Sequence, residues 1–182
     1  EWPAEQQHFT FHYLGLVAFH DPPKKNIASV FASFREAGIR TFIITGDNAI
    51  TATAIARQVG FRISGEPVNG EAVQGMDEET LGRMVRERNL FTRMFPEAKL
   101  RVVKALKAQG EVVAMTGDGV NDGPALKAAH IGIAMGRRGS ELAKEAAALV
   151  LLDDDLGHMV DAVAQGRRIY GNLKKAIRYI IS

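Results

Sequence analysis

Two carboxylates, an amide and two glycines sit within six residues of one another in Thr116-Gly117-Asp118-Gly119-Val120-Asn121-Asp122-Gly123-Pro124. The apolar run Glu111-Val-Val-Ala-Met115 leads into them. A strand that opens into such a loop puts its acids at the carboxyl end of a buried parallel strand, where α/β folds build sites. Asp118 and Asp122 repel each other unless a cation lies between them. Mg2+ suits that role when phosphate is the substrate, because it takes oxygen ligands and keeps positions open for phosphate. Asp122 begins the next helix, so it could ligate Mg2+ through water or cap the helix.

Two further groups have phosphate chemistry. Thr45 and Gly46 follow the apolar stretch 40–44, and a hydroxyl beside a bare backbone N–H suits phosphate oxygens. Lys99 falls in the first turn of a helix opened by Pro96. A cation is unfavourable near a helix N-terminus, which argues against a purely structural role. Asp47 orders the Thr45 loop or meets nucleotide, and Asn48 is placed to cap the following helix.

The elements that must hold these residues follow from periodicity. Residues 11–19 fit a strand ending at Asp21-Pro22-Pro23. Ile27, Val30, Phe31 and Phe34 recur at helical spacing, and Ala37-Gly38 closes that helix. A short buried strand covers 40–44 and a helix covers 50–59. Residues 61–76 read as loop with a short strand or two. Asp77 caps a helix over 78–88, and Pro96 starts another that runs to Ala108. Strands are expected at 111–115, 131–134 and 148–152, with helices after Pro124, over 140–147 and from Leu156 onward. Alternating apolar strands and helices predict a parallel sheet covered on both faces.

Composition narrows the classes. The 182 residues suffice for one domain with a core. A net charge of +2, one Trp and three Tyr give no basic, aromatic-laced stripe for nucleic acid. There is no Cys, hence no disulfide or thiolate metal site. The five His lack zinc-type spacing and read as surface or capping residues. No stretch reaches the length of a membrane span, yet Arg167, Arg168, Lys174, Lys175 and Arg178 crowd before Tyr179-Ile180-Ile181. That fits either a basic amphipathic helix on the domain or the cytosolic flank of a membrane helix.

The loop at 116–127 resembles the hinge motif of P-type cation-transporting ATPases, whose phosphorylation domain has the haloacid-dehalogenase fold. Asp21-Pro22-Pro23-Lys24 resembles that family's D-P-P-R/K step, and Thr45-Gly46-Asp47 its T-G-D motif. Phe91-Thr-Arg93-Met-Phe-Pro96-Glu-Ala-Lys99 resembles its F-x-R-x-x-P-x-x-K segment. Gly132-Ile-Ala-Met-Gly136, Glu141-Leu-Ala-Lys144 and Gly166-Arg-Arg-Ile169-Tyr170-Gly171-Asn172 resemble the calcium, sodium/potassium and proton-pump branches more than the heavy-metal branch.

The resemblance implies a Rossmann-like, haloacid-dehalogenase-type α/β fold lacking its first strand, since no D-K-T-G-T occurs in the chain. It implies a partial phosphorylation domain over 1–166 and a stalk helix over 167–182 leading toward a transmembrane segment. Mg2+ and ATP are the implied cofactors. Asp118 is then a metal ligand, with Asp122 beside it. Lys99 offsets phosphate charge, Thr45 and Gly46 hold phosphate, Asn121 reaches phosphate or nucleophile, and Arg93 and Asp47 meet nucleotide. The implied setting is the cytosolic side of a plasma or inner membrane. The implied partners are the nucleotide, actuator and transmembrane domains of the same pump, with self-association through the open sheet as a further expectation.

Two other readings start from the same residues. A soluble phosphatase of the haloacid-dehalogenase type would need an early aspartate nucleophile. Asp21 is the early candidate, but it has no second acid two residues on. A non-catalytic regulatory module would not need Asp118, Lys99 and Thr45 together. Asp153-Asp154-Asp155 after the apolar 149–152 mimics a nucleophile loop, but lacks the Gly-Thr that should follow and reads as a solvated helix start.

Overall fold

Four helices of the described residues begin where a short polar side chain takes up a free backbone N–H. The computed structural model describes residues 12–17 and 22–181. Its first helices and strands are α1 (Ile27–Glu36), β1 (Ile43–Ile44), α2 (Ala49–Gln58), β2 (Val68–Asn69), α3 (Gly70–Gly75) and α4 (Glu78–Glu87). They are followed by β3 (Leu90–Thr92), α5 (Pro96–Ala108), β4 (Ala114–Gly117), a 3-10 turn at Val120–Asp122 and α6 (Gly123–Ala128). The chain continues through β5 (Ile131–Met135), α7 (Glu141–Ala146), β6 (Leu149–Leu151) and α8 (Gly157–Ile181). Asn48 caps α2, Asn69 caps α3, Asp77 caps α4 and Ser140 caps α7, each accepting from the amide three residues on. Pro96 opens α5, where its missing N–H costs nothing.

The strands form two parallel three-stranded ladders, β1-β3-β2 and β4-β5-β6. Ile43 and Ile44 pair with Leu90 and Phe91, and Val68 and Asn69 with Phe91 and Thr92. Ala114 to Gly117 pair with Ile131 to Ala134, and Ile133 to Met135 pair with Leu149 to Leu151. The parallel α/β architecture is as expected. Among the described residues no ladder joins β1 to β4, so the two sheets part where the fold's first strand was expected.

One core nevertheless spans both sheets. It joins Val68, Leu81, Val85, Phe91 and Met94 to Val113 and Ala125 through Ala98, Val102, Val103 and Leu106 of α5. Val102 and Val103 are fully buried. Helix α5 therefore packs one face against each half of the molecule.

Several elements differ from expectation. Residues 12–17 form no strand and are exposed, Leu14 almost fully. An apolar run becomes a strand only where a ladder partner exists, and none is taken there. The remainder of that expected strand, and Asp21, lie outside the described residues. The segment expected as loop holds α3, because Asn69 caps a turn despite its glycines. β3 was not anticipated from sequence, yet it is the middle strand of its sheet and is buried at all three residues. β4 starts later than expected and includes Thr116 and Gly117. Val113 spends its N–H on the His130 ring, and its carbonyl takes the His130 and Ile131 amides, so residues 111–113 join no ladder.

Candidate functional site

The carboxyl ends of β1, β3 and β4 carry the residues singled out by sequence. At β4, Gly117 ends the strand and the chain turns through Asp118 and Gly119 into the 3-10 turn. A Cβ at Gly117 would lie 2.5 Å from that of Asp122, so only glycine lets the turn fold back this closely. Asp122 is buried as a result. It does not cap α6 with its side chain. Instead its Oδ1 lies 2.7 Å from Lys99 Nζ, an ion pair whose two side chains are only 13% and 11% exposed. The carboxylate is shared: Oδ2 accepts from the Gly119 N–H at 3.5 Å, at the start of the 3-10 turn, while Oδ1 takes a cation 23 residues earlier in the chain.

Lys99 is placed by Pro96 and by its amide, which donates to the Phe95 carbonyl. From the first turn of α5 it reaches across to the loop after β4. The helix N-terminus disfavours its charge, and the Asp122 carboxylate compensates. A partly buried charge pair of this kind resists loss of either member, because the survivor is left desolvated and unpaired.

Asp118 contrasts with Asp122. Its side chain is exposed and makes no hydrogen bond or ion pair with a described residue, while its carbonyl accepts from the Ser140 amide at 2.8 Å. The backbone of Asp118 is thus pinned to the start of α7 and its carboxylate is left open. Asn121 is exposed in the same turn.

At β1 the strand ends in a tight loop. Thr45 donates its amide to the Phe91 carbonyl and accepts from the Met94 amide. Its Oγ1 accepts from the Asp47 N–H at 3.1 Å, which leaves the hydroxyl proton free to donate. A Cβ at Gly46 would meet only the Met94 carbonyl at an ordinary 3.8 Å. The protein itself does not demand glycine there; an approaching ligand would gain from it. Asp47 is exposed, and its carbonyl accepts from the Arg93 amide. Arg93 has φ 50° and an exposed side chain, and its carbonyl would lie 2.4 Å from a Cβ at Gly70. This turn binds the ends of β1, β2 and β3 together.

Oxygen donors of the Asp118 kind fit a hard cation such as Mg2+. Among the described residues no group of three or more Asp, Glu, His or Cys is assembled for a metal. With Asp122 held by Lys99, the donor set fits Mg2+ in part: one open carboxylate, with other ligands to come from elsewhere.

The second acid loop, after β6, was expected to be solvated and is not. Asp154 is buried, with φ 60°. Its carboxylate accepts from the Arg137 and Arg138 amides at 3.0 and 3.2 Å, and its carbonyl accepts from Lys24 Nζ. Burial would raise its pKa, but those amides, with that of Gly136, outweigh burial and hold the carboxyl below its usual range. Asp155 takes the Gly157 amide at the start of α8 and Asn26 before α1; both lower its pKa. Asp153 and His158 pair at 2.8 Å, which lowers the acid's pKa and raises that of the imidazole. A positive φ on a non-glycine residue is a structural signal that the sequence did not display.

Residues 3–130 match the family model described as a haloacid dehalogenase-like hydrolase. The chain belongs to the haloacid dehalogenase-like hydrolases. Among its relatives is a protein named calcium-transporting ATPase 4, endoplasmic reticulum-type, of Arabidopsis thaliana. It is 48% identical over 93% of this chain and 16% of its own length. A calcium-transporting ATPase of Bacillus subtilis is 43% identical over 98% of the chain and 20% of its own length. A probable cation-transporting ATPase F of Mycobacterium bovis is 48% identical over 92% and 19%. The chain thus spans no more than a fifth of the length of these relatives. Among the described residues no helix is long and apolar enough to cross a membrane.

Proposed function

We propose that the chain is the phosphoryl-handling part of a P-type cation-transporting ATPase, a cytosolic portion of a larger membrane protein. The observation that carries this reading is the pairing of Lys99, at the first turn of α5, with Asp122 in the same turn after β4 that leaves the Asp118 carboxylate open. Thr45, whose hydroxyl proton is free to donate, and Gly46 follow β1 at the carboxyl end of the other parallel sheet. The names of the relatives support it.

In this reading Asp118 supplies the carboxylate for Mg2+, with Asp122 contributing at most through water while it pairs with Lys99. Mg2+, when bound, neutralises phosphoryl charge and holds the group in line. Lys99 turns from Asp122 toward phosphate as a point charge. Thr45 and Gly46 donate to phosphate oxygens, and Asn121 reaches phosphate or the nucleophile. Arg93 and Asp47 face nucleotide. The phosphorylated aspartate comes from a D-K-T-G-T segment that this chain does not contain, so the chain by itself forms no covalent phosphoenzyme. The rest of the pump, with its nucleotide, actuator and transmembrane domains, is its partner. The unjoined edges of β1 and β4 are candidates for pairing with a second copy of the chain, which light scattering across a dilution series would detect.

The test is an NMR titration with Mg2+ and inorganic phosphate. Shifts at Gly117–Asp118 with Mg2+, joined by shifts at Lys99 and Thr45–Gly46 when phosphate is added, all removed by Asp118→Ala, would support the reading. Shifts that are absent or indifferent to Asp118→Ala would sink it.

A further inference from the structure

A cavity of about 370 Å3 opens at the amino end of the β1-β3-β2 sheet, a size that suits a small ligand. It lies where the chain enters β1 and β3, opposite the carboxyl ends that carry Thr45 and Gly46. Five arginines line it, Arg35, Arg40, Arg62, Arg86 and Arg88, against one acid, Glu87. Phe31 and Phe61, packed edge to face with ring centroids 5.2 Å apart, give it an apolar wall.

The segments around the cavity are clamped together. Asn89 accepts from the Ser64 amide and donates to the Arg62 carbonyl, both at 2.8 Å, which ties the stretch carrying Arg62 to the one carrying Arg88. Arg40 donates to the Val85 and Arg86 carbonyls at 2.9 and 3.0 Å and lies 3.7 Å from Glu111, which ties the entry of β1 to the end of α4. Arg86 donates to the Gln109 side chain. Gly65 has φ 65°, and a Cβ there would lie 1.5 Å from Arg88 Nη1, so glycine leaves the room that this guanidinium occupies. The side chains of Arg35, Arg62 and Arg88 make no hydrogen bond or ion pair with a described residue. Helix C-termini account for cations at the ends of α1 and α4, but Arg62 belongs to neither helix.

We propose that this cavity binds a small anion bearing two or more phosphate groups. Guanidiniums from three separate segments suit the oxygens of a tetrahedral phosphate, which face several directions, whereas a carboxylate offers a single edge. The bound anion also offsets the mutual repulsion of the arginines. The proposal does not rest on the phosphoryl-transfer reading, whose residues lie at the other end of the strands, and it survives or fails separately from it.

Calorimetric titration with pyrophosphate in Mg2+-free buffer tests it, with sulfate and citrate compared at matched ionic strength. Pyrophosphate should bind at least tenfold more tightly than either, as expected of bidentate contacts rather than charge alone. It should move the NMR amide signals of residues 38–41, 64 and 88–89. Arg35→Gln with Arg62→Gln should weaken binding at least tenfold, and Arg62→Lys, which keeps the charge but loses the fork, should fall between that variant and the parent. Positions 35 and 62 are exposed, so circular dichroism should report unchanged folding. Equal affinity for sulfate, or affinity indifferent to the arginine substitutions, would overturn the proposal. Citrate binding as tightly as pyrophosphate would overturn the assignment to phosphate. Shifts confined to residues 45–46, 99 and 117–122 would place the anion at the other end of the strands and overturn it as well.

Discussion

Two acid-rich loops follow parallel strands in this molecule, and they use their carboxylates in opposite ways. After β6, the carboxylates of Asp153, Asp154 and Asp155 are all engaged: on His158, on two backbone amides, and on Asn26 and the first amide of α8. After β4, Asp122 is engaged by Lys99, and Asp118 is left open. The difference teaches that acid content after a strand does not mark a site. On the proposed reading, what marks one is an acid whose backbone is fixed while its carboxylate has nothing to hold.

The sharpest way to break this comparison is within the β4 loop. Asp122→Ala should destabilise the chain by about 3 kcal/mol, because it strands Lys99 in a mostly buried position. Asp118→Ala should lie within about 0.5 kcal/mol of the parent. Urea denaturation compares them, and equal losses would erase the distinction between the two acids. Next in size is Asp154→Ala, which leaves the Arg137 and Arg138 amides without their acceptor. It should lower the melting temperature clearly, with Asp154→Asn recovering part of the loss. A melting temperature unmoved by Asp154→Ala would return that loop to the solvated state expected from sequence.

Metal binding sharpens the contrast further. Mg2+ should bind at about millimolar affinity or weaker, as expected where few protein ligands hold it, and shift amides at Gly117–Asp122. Asp118→Ala should abolish those shifts while Asp154→Ala leaves them. Shifts centred on 153–155 would reverse the assignment. The smallest effect is a pH dependence. His158 titrates above its ordinary 6.5 because Asp153 accepts from it. The stabilisation from that pair is fully present below 6.5 and lost as pH rises through the raised folded value. His158→Gln should therefore cost stability at pH 6 and nothing by pH 9. The lowered carboxyls of Asp153, Asp154 and Asp155 act at the other end, their contribution fading as pH falls below the usual carboxylate range. A His158→Gln deficit that persists at pH 9 would show that packing, not charge, is what the ring supplies.

Local signals were legible in the sequence and long-range pairings were not. Pro96 and Asp77 announced α5 and α4 because both act within one turn of helix. β3 was hidden because three buried residues between Asn89 and Arg93 are too few to show a period, although its burial is complete. α3 was hidden behind its own glycines. The site residues were named from their types and from a resemblance, but the pairing of Lys99 with Asp122 joins α5 to the turn after β4 and leaves no mark on either segment alone. Asp154 was misread for the same reason: the donors that satisfy its carboxylate, the amides of 137 and 138, lie a whole helix and strand away.

Helix α5 shares one core with both sheets while, among the described residues, no ladder ties the sheets together. The consequence is a hierarchy of amide exchange. Amides around Val102 and Val103 open only when the whole molecule unfolds, so they should exchange with solvent deuterium at the slowest, global rate. The two-residue β1 and the outer side of β4, each lacking a neighbour on one side, should exchange orders of magnitude sooner. A single helix, rather than a continuous sheet, then sets the lifetime of the folded state.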